Sequence, residues 1–443
     1  MYQIGSILKT IREECSFQLL DVQDITGIDS SQLSRIETGK RLPTVEQLNR
    51  LSDLYGTDSK IMLVQRESDK ILTSFDDLSI GLESLDVAKE KILMGQKYLT
   101  MFRDSFLSQP IRLASRRYIG SKTKLLDWIF ETIHQETRDV HTFCDIFAGT
   151  GVVAERAIKE YDHVILNDLL YSNNVIYNAY FAEGDWNKEE LCDIITGYNS
   201  LKPSELKENY FSANFGGKFF EHSEAKRIGY IRQDIEDRKA HLTTKEYNIL
   251  LATLIYNIDK IANTLGHFEA YIQKPIEHKP LSLKLVDAKS FRNVNIYRED
   301  SNQLARRIQS DIVYIDPPYN SRQYSRFYHV YETLIKWDMP ELHGVAMKPA
   351  PENMSDYCSN KAAMAMRDLV TNLYTRYIAV SYNNTYNSKS TSSENKIQLE
   401  ELTQILNEVG TTRVFEHSHR AFNAGKTDLK DHKELLFITQ VNE

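Results

Sequence analysis

The sequence predicts an α/β protein, an open sheet of strand–loop–helix units interrupted by a helical insertion and preceded by a small all-α module. Three observations predict it. Short apolar runs at 142–145, 164–168 and 312–316 each end on an acid and a turn, the order expected of strands whose carboxyl ends open onto a ligand crevice. Residues 1–62 instead repeat apolar side chains every three or four positions, the spacing of short helices. From 185 to 290 the pattern is again helical.

At 443 residues the chain has material for two or three domains and a large core. It contains no run of about 18 apolar residues, so no membrane span is expected. The amino terminus lacks the basic-then-apolar order of a secretory signal. Cys15, Cys144, Cys192 and Cys358 are scattered without Cys-x-x-Cys spacing. That argues for a reducing cytoplasm and against a zinc site or disulfide frame, and no metal is expected. The net charge of −8 does not advertise nucleic-acid binding, so local basic patches would have to supply it.

In the first domain, 1–62, Ile4, Leu8 and Ile11 define one helix. A second, Leu19 to Ile25, closes at Gly27, and Asp29 caps a third from Ser30 to Glu37. Residues 38–43 end it, and Val45, Leu48, Leu51 and Leu54 mark a fourth. The run Ile36-Glu-Thr-Gly-Lys-Arg-Leu-Pro43 closely resembles the helix-turn-helix of the phage-repressor (Cro-like, XRE) family. The resemblance implies that Ser30, Ser31 and Arg35 reach base edges in the major groove while Lys40 and Arg41 touch phosphate. One departure is Gln23, where that family usually has alanine for close helix packing. A helical module that binds protein is the alternative. From 63 to 110 an apolar stripe of Ile71, Phe75, Leu78, Leu82, Leu85, Ala88, Ile92 and Leu93 reads as a helical linker or dimerisation hairpin.

The second domain, 111–443, begins with a basic loop, Arg116 to Lys124, that opens a helix. Thr142-Phe-Cys-Asp-Ile-Phe-Ala-Gly-Thr-Gly151 then reads as a strand, a glycine-rich turn and a helix start, a geometry that lets backbone approach a ligand. A phosphate-bearing nucleotide is an alternative ligand, although Asp145 would repel it. Asp168 closes the next strand, placed to accept hydrogen bonds from ribose hydroxyls. Asp300, with Glu299 beside it, follows a strand-like run at 294–297.

The stretch Asp311-Ile-Val-Tyr-Ile-Asp-Pro-Pro-Tyr319 completes the pattern. Two prolines cannot continue a sheet ladder, so Asp316, Pro317, Pro318 and Tyr319 leave the strand in a rigid loop. A carboxylate and a backbone carbonyl there would accept the two hydrogens of an exocyclic amino group and turn its nitrogen tetrahedral, with Tyr319 stacked on the ring. Asp-Pro-Pro-Tyr is the signature of DNA amino-methyltransferases, and with the cofactor motifs ahead of it the chain resembles their alpha class, in the adenine-N6 branch. The resemblance implies a Rossmann-like, seven-stranded, S-adenosylmethionine-dependent methyltransferase domain. It puts Tyr118, Gly120, Ser121 and Lys122 near the methionine carboxylate, Asp145 on the methionine amino group, Phe147, Gly149 and Gly151 in the cofactor turn, and Asp300 or Glu299 on the cofactor adenine. Runs at 377–381, 413–416 and 435–439 are further strands, the last two an antiparallel edge hairpin.

In that class the insertion, 185–290, is where DNA sequence is read, and the aromatic, amide and glycine mixture at 209–218 suits a loop that contacts DNA. His267, after a helix-ending glycine, reads as structural. Arg322, Tyr324 and Arg326 interleave cations with aromatics, a profile that grips phosphates and holds a flipped base. The expected partners are double-stranded DNA, a separate operator for the helix-turn-helix, and a cognate restriction endonuclease in a prokaryotic cytoplasm. A C5-cytosine enzyme is disfavoured because no cysteine follows a proline. An N4-cytosine enzyme, or a regulator whose second domain senses the cofactor, stays open.

Overall fold

The computed structural model describes residues 2–75, 77, 79–89, 110–384, 395–418 and 433–442. These form two compact units, Met1–Leu107 and Ser108–Glu443.

The first unit contains helices α1 (Gln3–Glu14), α2 (Leu19–Thr26), α3 (Ser30–Glu37), α4 (Val45–Tyr55) and α5 (Ser59–Leu72). Their apolar stripes meet in a core that includes Ile4, Leu8, Val22, Leu33, Ile36, Leu48 and Leu51. Gly27, at φ 69°, stops α2, and Asp29 caps α3 by accepting from the amides of Ser31 at 2.9 Å and Gln32 at 3.3 Å. The departure at Gln23 has a structural use. Its Oε1 accepts from the Ser30 amide at 2.7 Å, filling another orphan donor at the start of α3. Helix α5 continues beyond 62, and Asp69 Oδ2 accepts from the Ile4 amide at 2.7 Å, which ties it back to α1. In the expected linker stripe, Ile71 and Leu82 are exposed, while Leu78, Ile92 and Leu93 lie outside the described residues.

The second unit is built on a seven-stranded sheet in the order β3-β2-β1-β4-β5-β7-β6. The strands are β1 Thr142–Asp145, β2 His163–Asn167, β3 Val294–Tyr297, β4 Ile312–Ile315, β5 Tyr377–Asn383, β6 Gly410–Ser418 and β7 Lys433–Val441. Strands β1 to β5 run parallel, and β7 pairs antiparallel with both β5 and β6. Alternate residues enter opposite cores: Phe143, Val164, Ile312 and Ala379 on one face, Cys144, Ile165, Val313 and Ile378 on the other. Both faces are covered, so the strands read as continuous apolar runs rather than alternating ones. The chain winds from β1 outward to β3 and then returns to place β4 on the other side of β1. That reversal opens a crevice at the carboxyl ends of β1 and β4, where Asp145 and Asp316 stand.

The insertion shares the core of the sheet. Helix Thr244–Ile261 is buried from Asn248 to Asp259 and packs on helix Tyr171–Tyr180. The segment expected to be a DNA-contacting loop is instead a helix, Tyr210–Phe215, whose Phe211 and Phe215 are fully buried with Phe219 and Phe220. Phenylalanines four apart fall on one helical face, and burying them outweighs the loop-like composition around them. No helix among the described residues is long and apolar enough to cross a membrane.

Candidate active site

The crevice is lined by the ends of β1, β2 and β4, the loop 118–122, and a segment at 353–357. Asp145 forms its floor. It is only 1% exposed, and neither carboxylate oxygen has a hydrogen-bond partner among the described residues; the nearby backbone amides of Ala154 and Phe147 favour its charged form. Burial pushes this carboxyl well above its ordinary range, and the charges of Asp316 and Asp168 push the same way. A buried polar group without a partner is costly and calls for an explanation in the ligand the site takes.

The glycine-rich turn is held by its neighbours. Gly149 N donates to Asp168 Oδ2 at 3.0 Å, and Gly149 O accepts from the Tyr177 hydroxyl at 2.7 Å. Asp168 also accepts from Leu170 N at 2.8 Å, so two amides hold its carboxylate against the crevice wall. Phe147 and Gly149 line the crevice, and Gly151 does not. Gly151 sits at φ 78°, where a Cβ would stand 3.1 Å from the Tyr177 ring, so packing and backbone conformation explain this glycine. Of the two acids at the end of β3, Asp300 lines the crevice and caps the next helix through Gln303 N at 3.1 Å. Glu299 is ion-paired with Arg307.

Loop 118–122 is clamped by aromatic side chains. The Tyr118 ring lies parallel to Tyr328 with centroids 4.7 Å apart, and the Arg116 guanidinium sits 4.8 Å from its centroid. Ile119 N donates to the Tyr328 hydroxyl at 3.0 Å, and the Tyr324 hydroxyl donates to Ile119 O at 3.1 Å. Tyr324 therefore shapes the crevice wall. Gly120 and Ser121 line the same wall.

Lys122 belongs with the proline loop. Its ammonium, on a side chain 4% exposed, donates to the Tyr319 hydroxyl and stands 3.2 Å from Asp316 Oδ1 and 3.7 Å from Glu434. Burial alone would lower this lysine, yet Asp316 and Glu434 hold it above its ordinary value. The Tyr319 hydroxyl donates to Asp316 Oδ1. Burial lifts the Asp316 carboxyl above the ordinary carboxylate range, with Lys122 opposing. Asp316, Pro317, Pro318 and Tyr319 all line the crevice. Sequence reasoning missed Glu434, which comes from β7, two strands away from β4, and carries no local motif. It also missed the clasp in which Gln323 Nε2 donates to Ser355 O at 2.9 Å and Ser355 N donates to Gln323 Oε1 at 2.8 Å.

Arg322 and Arg326 lie outside the crevice, in a neighbouring polar pocket. In the first unit, Arg35, Lys40 and Arg41 are exposed. The Ser31 hydroxyl is engaged with Asp29, and Ser30 is half-buried at the start of α3.

Residues 118–393 match the D12 class N6 adenine-specific DNA methyltransferase family, and residues 8–60 match a helix-turn-helix family. The type II methyltransferase M.CviAII of Paramecium bursaria Chlorella virus 1 is 31% identical over 339 residues, 74% of this chain and 98% of that protein. The type II methyltransferase M.NlaIII of Neisseria lactamica is 30% identical over 332 residues, 71% of this chain and 95% of that protein. The type II methyltransferase M.FokI of Planomicrobium okeanokoites is 31% identical over 348 residues, 73% of this chain but 52% of its own length, so the chain spans about half of that relative. The chain belongs to the D12 class of N6 adenine-specific DNA methyltransferases and carries an amino-terminal helix-turn-helix.

Proposed function

We propose that this methyltransferase transfers the methyl group of S-adenosylmethionine directly to N6 of an adenine turned out of double-stranded DNA, as the modification enzyme of a restriction-modification system in a prokaryotic cytoplasm. The observation that carries the reading is Asp316, held at the carboxyl end of β4 in the same crevice as the unpartnered Asp145. The residues present fit the cofactor: Asp145 would take its ammonium, Asp168 its ribose, Asp300 its adenine, and the turn at 147–149 its backbone. When bound, S-adenosylmethionine supplies an electrophilic methyl group on a positively charged sulfur.

The chain's own residues prepare the nucleophile. The Tyr319 and Lys122 contacts both fall on Asp316 Oδ1, which supports giving Oδ2 to the target amino group in this reading. Accepting an amino hydrogen there, with the Pro317 carbonyl taking the other, draws the nitrogen lone pair out of conjugation. Lys122 balances the carboxylate while the amino nitrogen becomes positive, and Tyr319 stacks on the base. This acceptor bond strengthens as the nitrogen becomes tetrahedral, so Asp316→Ala should abolish N6-methyladenine in sequenced host DNA while leaving S-adenosylmethionine binding measurable by calorimetry. Single-turnover rates near wild type would overturn the assignment.

We further infer that the helix-turn-helix binds an operator of its own and limits expression of this gene, while the insertion at 185–290 reads the methylation site. What supports this is the doubly capped α3 with the exposed Arg35 upon it. Arg35→Ala should weaken repression in a promoter-reporter assay by about 1–3 kcal/mol of operator binding and leave the methylated motif unchanged. An altered motif with unchanged reporter output would instead make the module part of methylation specificity.

A further inference from the structure

The polar pocket beside the crevice has no role in the chemistry above. Three segments converge on it: the turn after helix Thr244–Ile261, the stretch after the proline loop, and the segment leading to Lys348. All three are tied down. Phe268 N donates to Phe327 O at 2.7 Å, the His343 and Lys348 amides exchange hydrogen bonds at 2.8 and 2.9 Å, and Arg326 Nη1 donates to Pro349 O at 2.6 Å. His267 stacks on Phe327 with centroids 4.7 Å apart, and the Arg322 guanidinium lies 5.8 Å from the same ring. Arg322, Arg326 and Lys348 thus bring three cations together in a chain whose net charge is −8. Burial holds His267 below its ordinary value, so it adds a neutral ring and no further charge. Among the described residues that line the pocket, the one anion is Glu269, whose carboxylate pairs with Lys348 at 2.9 Å and is about half exposed.

We propose that this pocket seats a backbone phosphodiester of the DNA next to the extruded adenine, and that Glu269 is a resident counter-charge which the phosphate displaces from Lys348. The inference rests on the DNA-methylation reading and adds a site to it. Gln323 lines both the pocket and the crevice, so a phosphate seated here lies one residue's breadth from the base site. Its amide is held in place by Ser355, which couples the two sites through a fixed side chain. Glu269 is about half exposed although Lys348 is mostly covered, so water can take over the released carboxylate and opening the pair costs little. A bound phosphate gains several positive groups at once, with release of counter-ions. The pair therefore screens the pocket against loosely held anions and yields to a phosphate that the rest of the duplex positions.

The test uses the full chain and a duplex containing the methylated site identified by sequencing, with KM for DNA measured over a salt series. Lys348→Ala should raise KM several-fold and reduce the slope of log KM against log salt by about 1. Glu269→Gln should lower KM, because the lysine is no longer neutralised in the free enzyme. A duplex with a neutral methylphosphonate at one linkage flanking the target adenine should raise KM for the wild type and remove its difference from Lys348→Ala. Inorganic phosphate at matched ionic strength should compete only weakly, since the duplex positions the group. Strong competition by inorganic phosphate would make the pocket a free-anion site and overturn the proposal. So would a Glu269→Gln variant with raised KM, or an unchanged Lys348→Ala penalty on every methylphosphonate duplex, either of which makes the pair structural. Thermal melting of each variant separates misfolding from loss of binding, and absence of any wild-type methylation would instead fail the underlying reading.

Discussion

Glu37 in the helix-turn-helix unit and Asp145 in the methyltransferase unit are both buried, at 7% and 1% exposure, in opposite surroundings. Glu37 meets Arg12 through two hydrogen bonds, 2.7 Å to Nε and 2.9 Å to Nη2, and a third nitrogen of that guanidinium holds Phe17 O at 2.8 Å. Asp145 has no such partner. A small bundle uses its buried carboxylate to join α1 to α3. The crevice gives its own carboxylate no such counter-charge among the described residues. Burial alone does not distinguish a structural charge from a functional one; whether the fold itself neutralises the charge does.

Substitution at each carboxylate tests that contrast. Glu37→Gln should produce the largest stability loss, about 3 kcal/mol in the first unit, because Arg12 stays buried without its counter-charge. Denaturant unfolding followed by hydrogen exchange at α1 and α3 amides would register it. A loss well under 1 kcal/mol would place this pair with exposed ion pairs and erase the contrast.

Asp145→Asn should act in the opposite direction. With its folded pKa raised, Asp145 stabilises the native state fully below the ordinary value of 3.8, and that contribution is lost as pH rises through the folded value. The neutral amide escapes this loss, so the variant should melt above wild type near pH 7, with the gap closing as pH falls towards 4. S-adenosylmethionine binding should fall sharply at the same time. A variant that melts lower at neutral pH would show that the fold does neutralise Asp145.

The smallest effect belongs to Asp29→Ala, which removes a helix cap and should cost about 1 kcal/mol. Gln23 still serves the Ser30 amide, so α3 should survive and only its first turn should fray, visible as faster amide exchange at Ser31 and Gln32. Global unfolding of the module would mean that the cap, and not the Arg12–Glu37 pair, holds the unit together.

Much of this organisation is present in local sequence. Gly27, Asp29 and the 36–43 run mark the helix-turn-helix because caps and turns are set by residues within a few positions of one another. Asp145, Asp168 and Asp316 mark strand ends for the same reason: an apolar run, an acid and a chain-breaking turn are adjacent along the chain. The fate of the phenylalanines at 211 and 215 was less legible, since a burial decision depends on what packs against them. Lys122 and Glu434 could not be joined by inspection. They are 312 residues apart by number, and only the antiparallel placement of β7 beside β5 brings that carboxylate to the crevice. Sequence alone thus determined which strand ends present acids to the crevice. Tertiary structure decided which charges neutralise one another, because Coulomb and hydrogen-bond energies depend on separation in space and on burial, and neither is recorded in spacing along the chain.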